Sequence, residues 1–91
     1  MDIHTIWKIK DLLGEDIGVY PDTETNNCEI IQYDTDKHGN FHLDSRELRE
    51  LNQMGLLYVR ADYDIDYEYE ADNGETVTKY MDIIYFKYII L

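Results

Sequence analysis

This chain holds no pair of cysteines from which to build an internal disulfide, because Cys28 is the only one. Packing and hydrogen bonds must carry the fold, and a single thiol fits a reducing compartment. A lone cysteine inside an apolar stretch reads as a small core residue. Proline is equally scarce, with Pro21 alone, and no segment reads as a linker between domains. Basic residues are few: 8 Lys and Arg stand against 20 Asp and Glu, a formal net charge of −12. Phosphate contacts need Lys and Arg, so direct nucleic-acid binding is excluded. An anionic membrane surface is disfavoured for the same reason. Long apolar runs are missing too: the stretch 83–91 is too short to span a bilayer, and Lys87 interrupts it. The start, Met1-Asp2-Ile3-His4, lacks a basic segment followed by an apolar one, so a cytoplasmic protein without a secretory leader is expected. There is no glycine-rich phosphate loop, no serine-nucleophile motif and no Cys–His spacing with known mechanics. The expectation is a protein that is not an enzyme and has no cofactor.

What is present points elsewhere. The 91 residues make one domain, and 44% hydrophobic residues with nine tyrosines can build a modest core. The charge is concentrated: residues 62–82 hold Asp62, Asp64, Asp66, Glu68, Glu70, Asp72, Glu75 and Asp82 against Lys79 alone. A solvated acidic tail would lack the apolar residues that alternate here with the acids. Residues 62–70 read Asp-Tyr-Asp-Ile-Asp-Tyr-Glu-Tyr-Glu. On a strand, this places Asp62, Asp64, Asp66, Glu68 and Glu70 on one face and Tyr63, Ile65, Tyr67 and Tyr69 on the other. Neighbours on one face lie about 6.7 Å apart, comparable to successive phosphates along one nucleic-acid strand. A row of like charges contributes nothing to folding. Three uses suggest themselves: mimicry of a nucleic-acid backbone, a solvated face that keeps the protein soluble, and cation binding through Asp62, Asp64 and Asp66.

Periodicity supplies the frame. Ile3, Ile6, Ile9 and Leu13 recur at helical spacing between a capping Asp2 and a terminating Gly14, which predicts a helix over 3–13. Ile17 to Tyr20 reads as a strand ended by Pro21, Cys28 to Tyr33 as a second, and Phe41 to Leu43 as a short third after a turn around Gly39. Asp44 with Glu47 forms a capping box for a second helix bearing Leu48, Leu51 and Met54, and Gly55 stops it. A long strand from Leu56 to Glu70 then turns back through 71–75 into a strand over 76–90. A two-residue Asn73-Gly74 turn would oppose Ile65 to Asp82. A three-residue Asp72-Asn73-Gly74 loop would oppose Ile65 to Met81, Tyr63 to Ile83 and Tyr69 to Val77. The second register sets apolar against apolar and is preferred; it also sets Asp82 beside Asp64, extending the acidic face. The last strand is apolar on both faces, as a strand covered on both sides is. The expected fold is α+β: an antiparallel sheet of four to five strands with two helices, ending in a long β-hairpin.

Two local likenesses arise. Residues 34–45 resemble an EF-hand calcium loop, with Asp34, Asp36, Gly39 and Phe41 at its first, third, sixth and eighth positions. His38 stands where Asp or Asn belongs, Ser45 where a bidentate Glu belongs, and a strand rather than a helix precedes the segment. An Asp- and Gly-rich turn that holds no metal is the reading retained. Leu48 to Arg60 looks like the end of a recognition helix entering the wing of a winged-helix domain.

In size, acidity and its carboxylate-lined strand, the whole chain resembles the small DNA-mimic inhibitors made by bacteriophages. These include anti-restriction proteins, anti-CRISPR proteins and inhibitors of uracil-DNA glycosylase. The resemblance implies stoichiometric inhibition, with Asp62, Asp64, Asp66, Glu68 and Glu70, extended by Asp72, Glu75 and Asp82, occupying the basic face where a host enzyme holds DNA. An immunity protein or antitoxin against a basic nuclease toxin would use the same electrostatics. A viral structural or assembly protein would use the charge for solubility alone. The exposed hairpin edge is also a template on which a second copy can pair to give a homodimer.

Overall fold

The computed structural model describes residues 1–89. Ile90 and Leu91, which the alternation above assigns to the last strand and its end, lie outside the described residues. Helix α1 spans Ile3–Leu13. Asp2 caps it, its carboxylate accepting from the Thr5 N–H and hydroxyl at 2.8 and 2.9 Å, which satisfies a donor left free at a helix start. Strands β1 (Ile17–Asp22) and β2 (Asn27–Gln32) form an antiparallel hairpin, with Ile17 opposite Gln32 and Asp22 opposite Asn27. Pro21 does not end β1 but lies inside it, opposite Cys28. This is tolerated because β1 is an edge strand, where a missing N–H need break no ladder.

Two more corrections concern the segment after β2. The residues around Thr35–His38 wind into a single helical turn, α2, where a plain turn was expected. Phe41 to Leu43 forms no strand. Phe41 instead drops into the core, and its N–H donates to the Asp82 carboxylate at 2.7 Å rather than to a neighbouring strand. Buried Phe41 beside exposed His42 imitates strand alternation without a ladder.

Helix α3 spans Ser45–Gln53 behind the expected capping box: Asp44 accepts from the Glu47 N–H at 2.7 Å, and Glu47 accepts from the Asp44 N–H at 3.0 Å. Gly55 then turns with φ +94° into β3 (Leu56–Glu70), and the loop after Glu70 returns the chain along β4 (Thr76–Tyr88). The sheet order is β1-β2-β4-β3, all antiparallel. Among the described residues the fold is therefore α+β, with a four-stranded sheet and a long C-terminal hairpin as expected, and three helices rather than two.

The core lies on one face of the sheet. Ile9 from α1, Leu51 from α3 and Phe41 pack on Ile17, Cys28, Ile30, Leu56, Ile84 and Phe86, all 5% exposed or less. Burial of such aliphatic and aromatic groups supplies about 25 cal/mol per Å² of apolar area removed from water. On the other face Ile31 sits opposite Ile83, and both are nearly buried, with the single turn of α2 packed against β4. Tyrosines cover that side: the Tyr20 and Tyr33 hydroxyls share a 2.7 Å hydrogen bond, the Tyr33 and Tyr67 rings meet edge to face, and Tyr67 stacks with Tyr69. The last strand is thus covered on both sides, by α1, α3 and the core on one and by α2 and tyrosines on the other.

The β2 ladder stops at Gln32 opposite Asp82. Beyond it β3 and β4 continue alone as a two-stranded arm, from Ile65 opposite Met81 to Glu70 opposite Thr76. Six residues at about 3.4 Å each give the arm a reach of about 20 Å, and the molecule extends 48 Å along its longest axis. At the tip the Ala71 N–H donates to the Glu75 carbonyl and the Gly74 N–H to the Ala71 carbonyl, both at 2.9 Å, with Gly74 at φ +82°. This is the preferred three-residue loop.

Candidate functional site

The acidic strand is real, but it is not one row. Asp62 opposes Ile83 and Ile65 opposes Met81, so three steps on β3 match two on β4. The extra residue is a β-bulge at Tyr63 and Asp64, with Asp64 in the left-handed region at φ 55°. A bulge of one residue inverts the faces on either side of it. Asp62 therefore shares its face with Ile65, Tyr67 and Tyr69, not with the other acids, and the expected pairing of Tyr63 with Ile83 does not form. Its carboxylate is engaged by Arg60, whose guanidinium also lies 4.1 Å over the Tyr85 ring. That hydrogen bond to Asp62 raises the Arg60 pKa.

Asp82 is the second correction. It does not extend an acidic surface but is fully buried on the core face, in line with Ile84 and Phe86. Its two oxygens accept from the Asp64 N–H at 2.8 Å and the Phe41 N–H at 2.7 Å. Both bonds are charge-assisted and therefore stronger than neutral ones. One carboxylate thus pins the bulge of β3 and the crossing segment before α3 to the same point of β4.

What remains exposed is a shorter row. Asp66, Glu68 and Glu70 oppose Tyr80, Thr78 and Thr76 on the helix-bearing face of the sheet, past the reach of the core. Asp64 begins the row at the bulge, where Asn40 donates to it at 3.5 Å. Asp72 and Glu75 are exposed at the tip. Asp64, Asp66, Glu68, Glu70, Asp72 and Glu75 are thus brought to one projecting arm, while Asp62 and Asp82 are not part of that surface. The arm's single base, Lys79, lies on the opposite face and pairs with Asp36 at 3.5 Å.

The tyrosine face is built differently. Burial, together with the hydrogen bond it donates to Asp34 at 2.6 Å, pushes the Tyr67 phenol up to about 12. The Tyr33 phenol is pushed up to about 12 by its hydrogen bond with Tyr20 and then by burial. Tyr67 and Lys79 thus hold Asp34 and Asp36, the two carboxylates that lead the EF-hand-like segment. Among the described residues, no group of three or more His, Cys, Asp or Glu is placed to hold a metal. The winged-helix likeness stops at α3 and β3, because α2 is one turn and β3 belongs to a four-stranded sheet.

The sequence reading missed a small hollow at the root of the arm. His42, Leu43, Leu48, Tyr58, Tyr63 and Ile84 enclose about 170 Å³ there. Exposed His42 between two buried or half-buried apolar residues was its only sequence signal. No described helix is long and apolar enough to cross a membrane. Comparison with protein-family models, with curated proteins and with solved structures gave no match.

Proposed function

We infer that the protein is a small acidic inhibitor, phage-encoded, that binds the basic nucleic-acid-binding face of a host enzyme in the host cytoplasm. It acts as a DNA mimic of the anti-restriction or anti-CRISPR kind. One observation carries this reading: Asp66, Glu68 and Glu70 line one face of an arm that projects past the core, with no base on that face. Spaced at about 6.7 Å on a rigid ladder, these carboxylates suit a channel lined by Arg and Lys. Electrostatic steering would make association fast and salt-sensitive.

Affinity capture from a bacterial lysate, eluted by a salt gradient, tests the reading. The expected result is one nucleic-acid enzyme released at moderate salt, displaced by DNA, and inhibited stoichiometrically by the purified protein. A single carboxylate at the rim contributes about 0–1 kcal/mol, so single amide variants should still inhibit. Asp66→Lys, Glu68→Lys and Glu70→Lys together should abolish inhibition. A folded triple variant that inhibits as well as the parent refutes the mimic. Release of many basic proteins together at low salt also refutes it.

A further inference from the structure

The arm has a second chemical feature besides its charge. β3 is an edge strand, so one side of its backbone faces no other strand. Which residues own that free side follows from the tip. The Ala71 N–H points inward to the Glu75 carbonyl. In an antiparallel ladder, hydrogen-bonded and non-hydrogen-bonded pairs alternate. With the register unbroken from Glu70 back to Ile65, the backbones of Tyr69, Tyr67 and Ile65 face β4. Those of Glu70, Glu68 and Asp66 face outward. Asp66, Glu68 and Glu70 therefore also present the three free N–H and C=O pairs on the β3 edge of the arm.

The same β3 edge of a second copy is a poor occupant. Two β3 arms pairing antiparallel would join outward-facing residue to outward-facing residue. Asp66, Glu68 and Glu70 would then oppose acids of the other copy in every register, and like charges directly opposite destabilise a ladder. Charges on an edge are a recognised guard against such self-pairing. The same row selects a strand of opposite charge. Resting on the reading of the arm as a surface for a basic partner, we propose that it captures an extended segment by strand addition to β3. That segment alternates basic with apolar residues. Its Lys or Arg residues stand opposite Asp66, Glu68 and Glu70 and exchange backbone hydrogen bonds with them. Its apolar residues stand opposite Ile65, Tyr67 and Tyr69. The docking length is about six residues, because the bulge at Tyr63 and Asp64 interrupts the ladder on one side and the loop ends it on the other.

Three capped peptides probe this with the intact protein: alternating Lys-Val-Lys-Val-Lys-Val, its block isomer with three Lys followed by three Val, and the alternating peptide N-methylated at its lysine amides. Charge and side chains match in all three, but the N-methyl form cannot donate to the β3 edge. The alternating peptide should bind about tenfold or more tightly than either control, as several cross-strand hydrogen bonds imply. On its addition, hydrogen exchange should slow at the Asp66, Glu68 and Glu70 amides. The Tyr67 and Tyr69 amides, already paired with β4, should not change. Equal, salt-sensitive binding of all three peptides would overturn strand addition and leave the electrostatic reading standing. Binding by none of them would overturn both.

Discussion

Replacing Asp82 by Ala should unfold much of the stability margin without touching a single apolar contact. The side chain is fully buried and accepts two backbone N–H groups, from Asp64 and Phe41. A hydrogen bond to a charged group contributes about 1.5–3 kcal/mol net, and removing the acceptor also strands a buried donor. The Phe41 N–H is the costlier of the two, because the residue around it is buried and its segment forms no ladder. Allowing for relaxation at the more exposed Asp64, the loss should be about 3–4 kcal/mol. Domains of this size are held by roughly 5–13 kcal/mol in all, so the variant should stay folded but weakened. Asp82→Asn keeps the shape and one acceptor but turns an amide N–H toward one of the two donors, and should lose about 2–3 kcal/mol. Urea unfolding measures both. With a slope of about 1–1.5 kcal/mol per molar, the Ala variant's midpoint should fall by about 2–4 M. Asp66→Asn, a neighbour in charge but exposed, should shift by less than about 0.5 kcal/mol. A fall of less than about 0.5 kcal/mol for Asp82→Ala would refute the clamp. So would native hydrogen-exchange protection of the Asp64 and Phe41 amides in that variant.

Cys28 is 1% exposed, and burial, with a smaller effect of Glu29, pushes its thiol up to about 11. Iodoacetamide at pH 8 should leave the native protein unmodified and label it stoichiometrically in urea, by mass spectrometry. The Tyr67 phenol, ordinarily at 10.0, stands at about 12 in the fold. A raised phenol favours the folded state below its unfolded pKa, and that stability is lost as pH climbs from about 10 through about 12. Urea midpoints should accordingly fall above pH 10, and fall less steeply in Tyr67→Phe, where Tyr33 still titrates. Gly55→Ala should cost about 2–3 kcal/mol, because φ is +94° and the added Cβ would lie 2.5 Å from the Ile89 carbonyl oxygen. A thermal melt that moves by less than a degree would contradict that geometry.

Where local chemistry decides structure, the chain was legible. The Asp44–Glu47 box, the α1 cap at Asp2 and the glycine-ended loop at the hairpin tip each follow from a few adjacent residues, and each is found. β3 runs from Leu56 to Glu70 as read. The faces of that strand were another matter. The alternation of residues 62–70 runs unbroken through the bulge, so nothing local marks the extra residue. Its cause is non-local: a carboxylate on β4 that draws the Asp64 N–H toward itself. Asp82 did carry a trace of its role, since Asp82, Ile84 and Phe86 alternate onto one face. Amid so many acids, however, that trace reads as one more surface charge. The same Asp82 explains why Phe41 leaves the strand expected of it.

The bulge at Tyr63 and Asp64 also separates the arm from the stretch over the core, which has a register shift of its own between Tyr58 and Arg60. On the core side, Leu56, Ala61, Ile84 and Phe86 fix which way each strand looks. Past Asp64, that phase is reset, and α1 and α3 do not dictate what the acidic face of the arm displays. Lengthening the arm by two residues on each strand, or rewriting its whole outer face, would leave every core contact in place. The displayed segment can therefore be rewritten at little structural risk, much as a handle can be exchanged without recutting the blade.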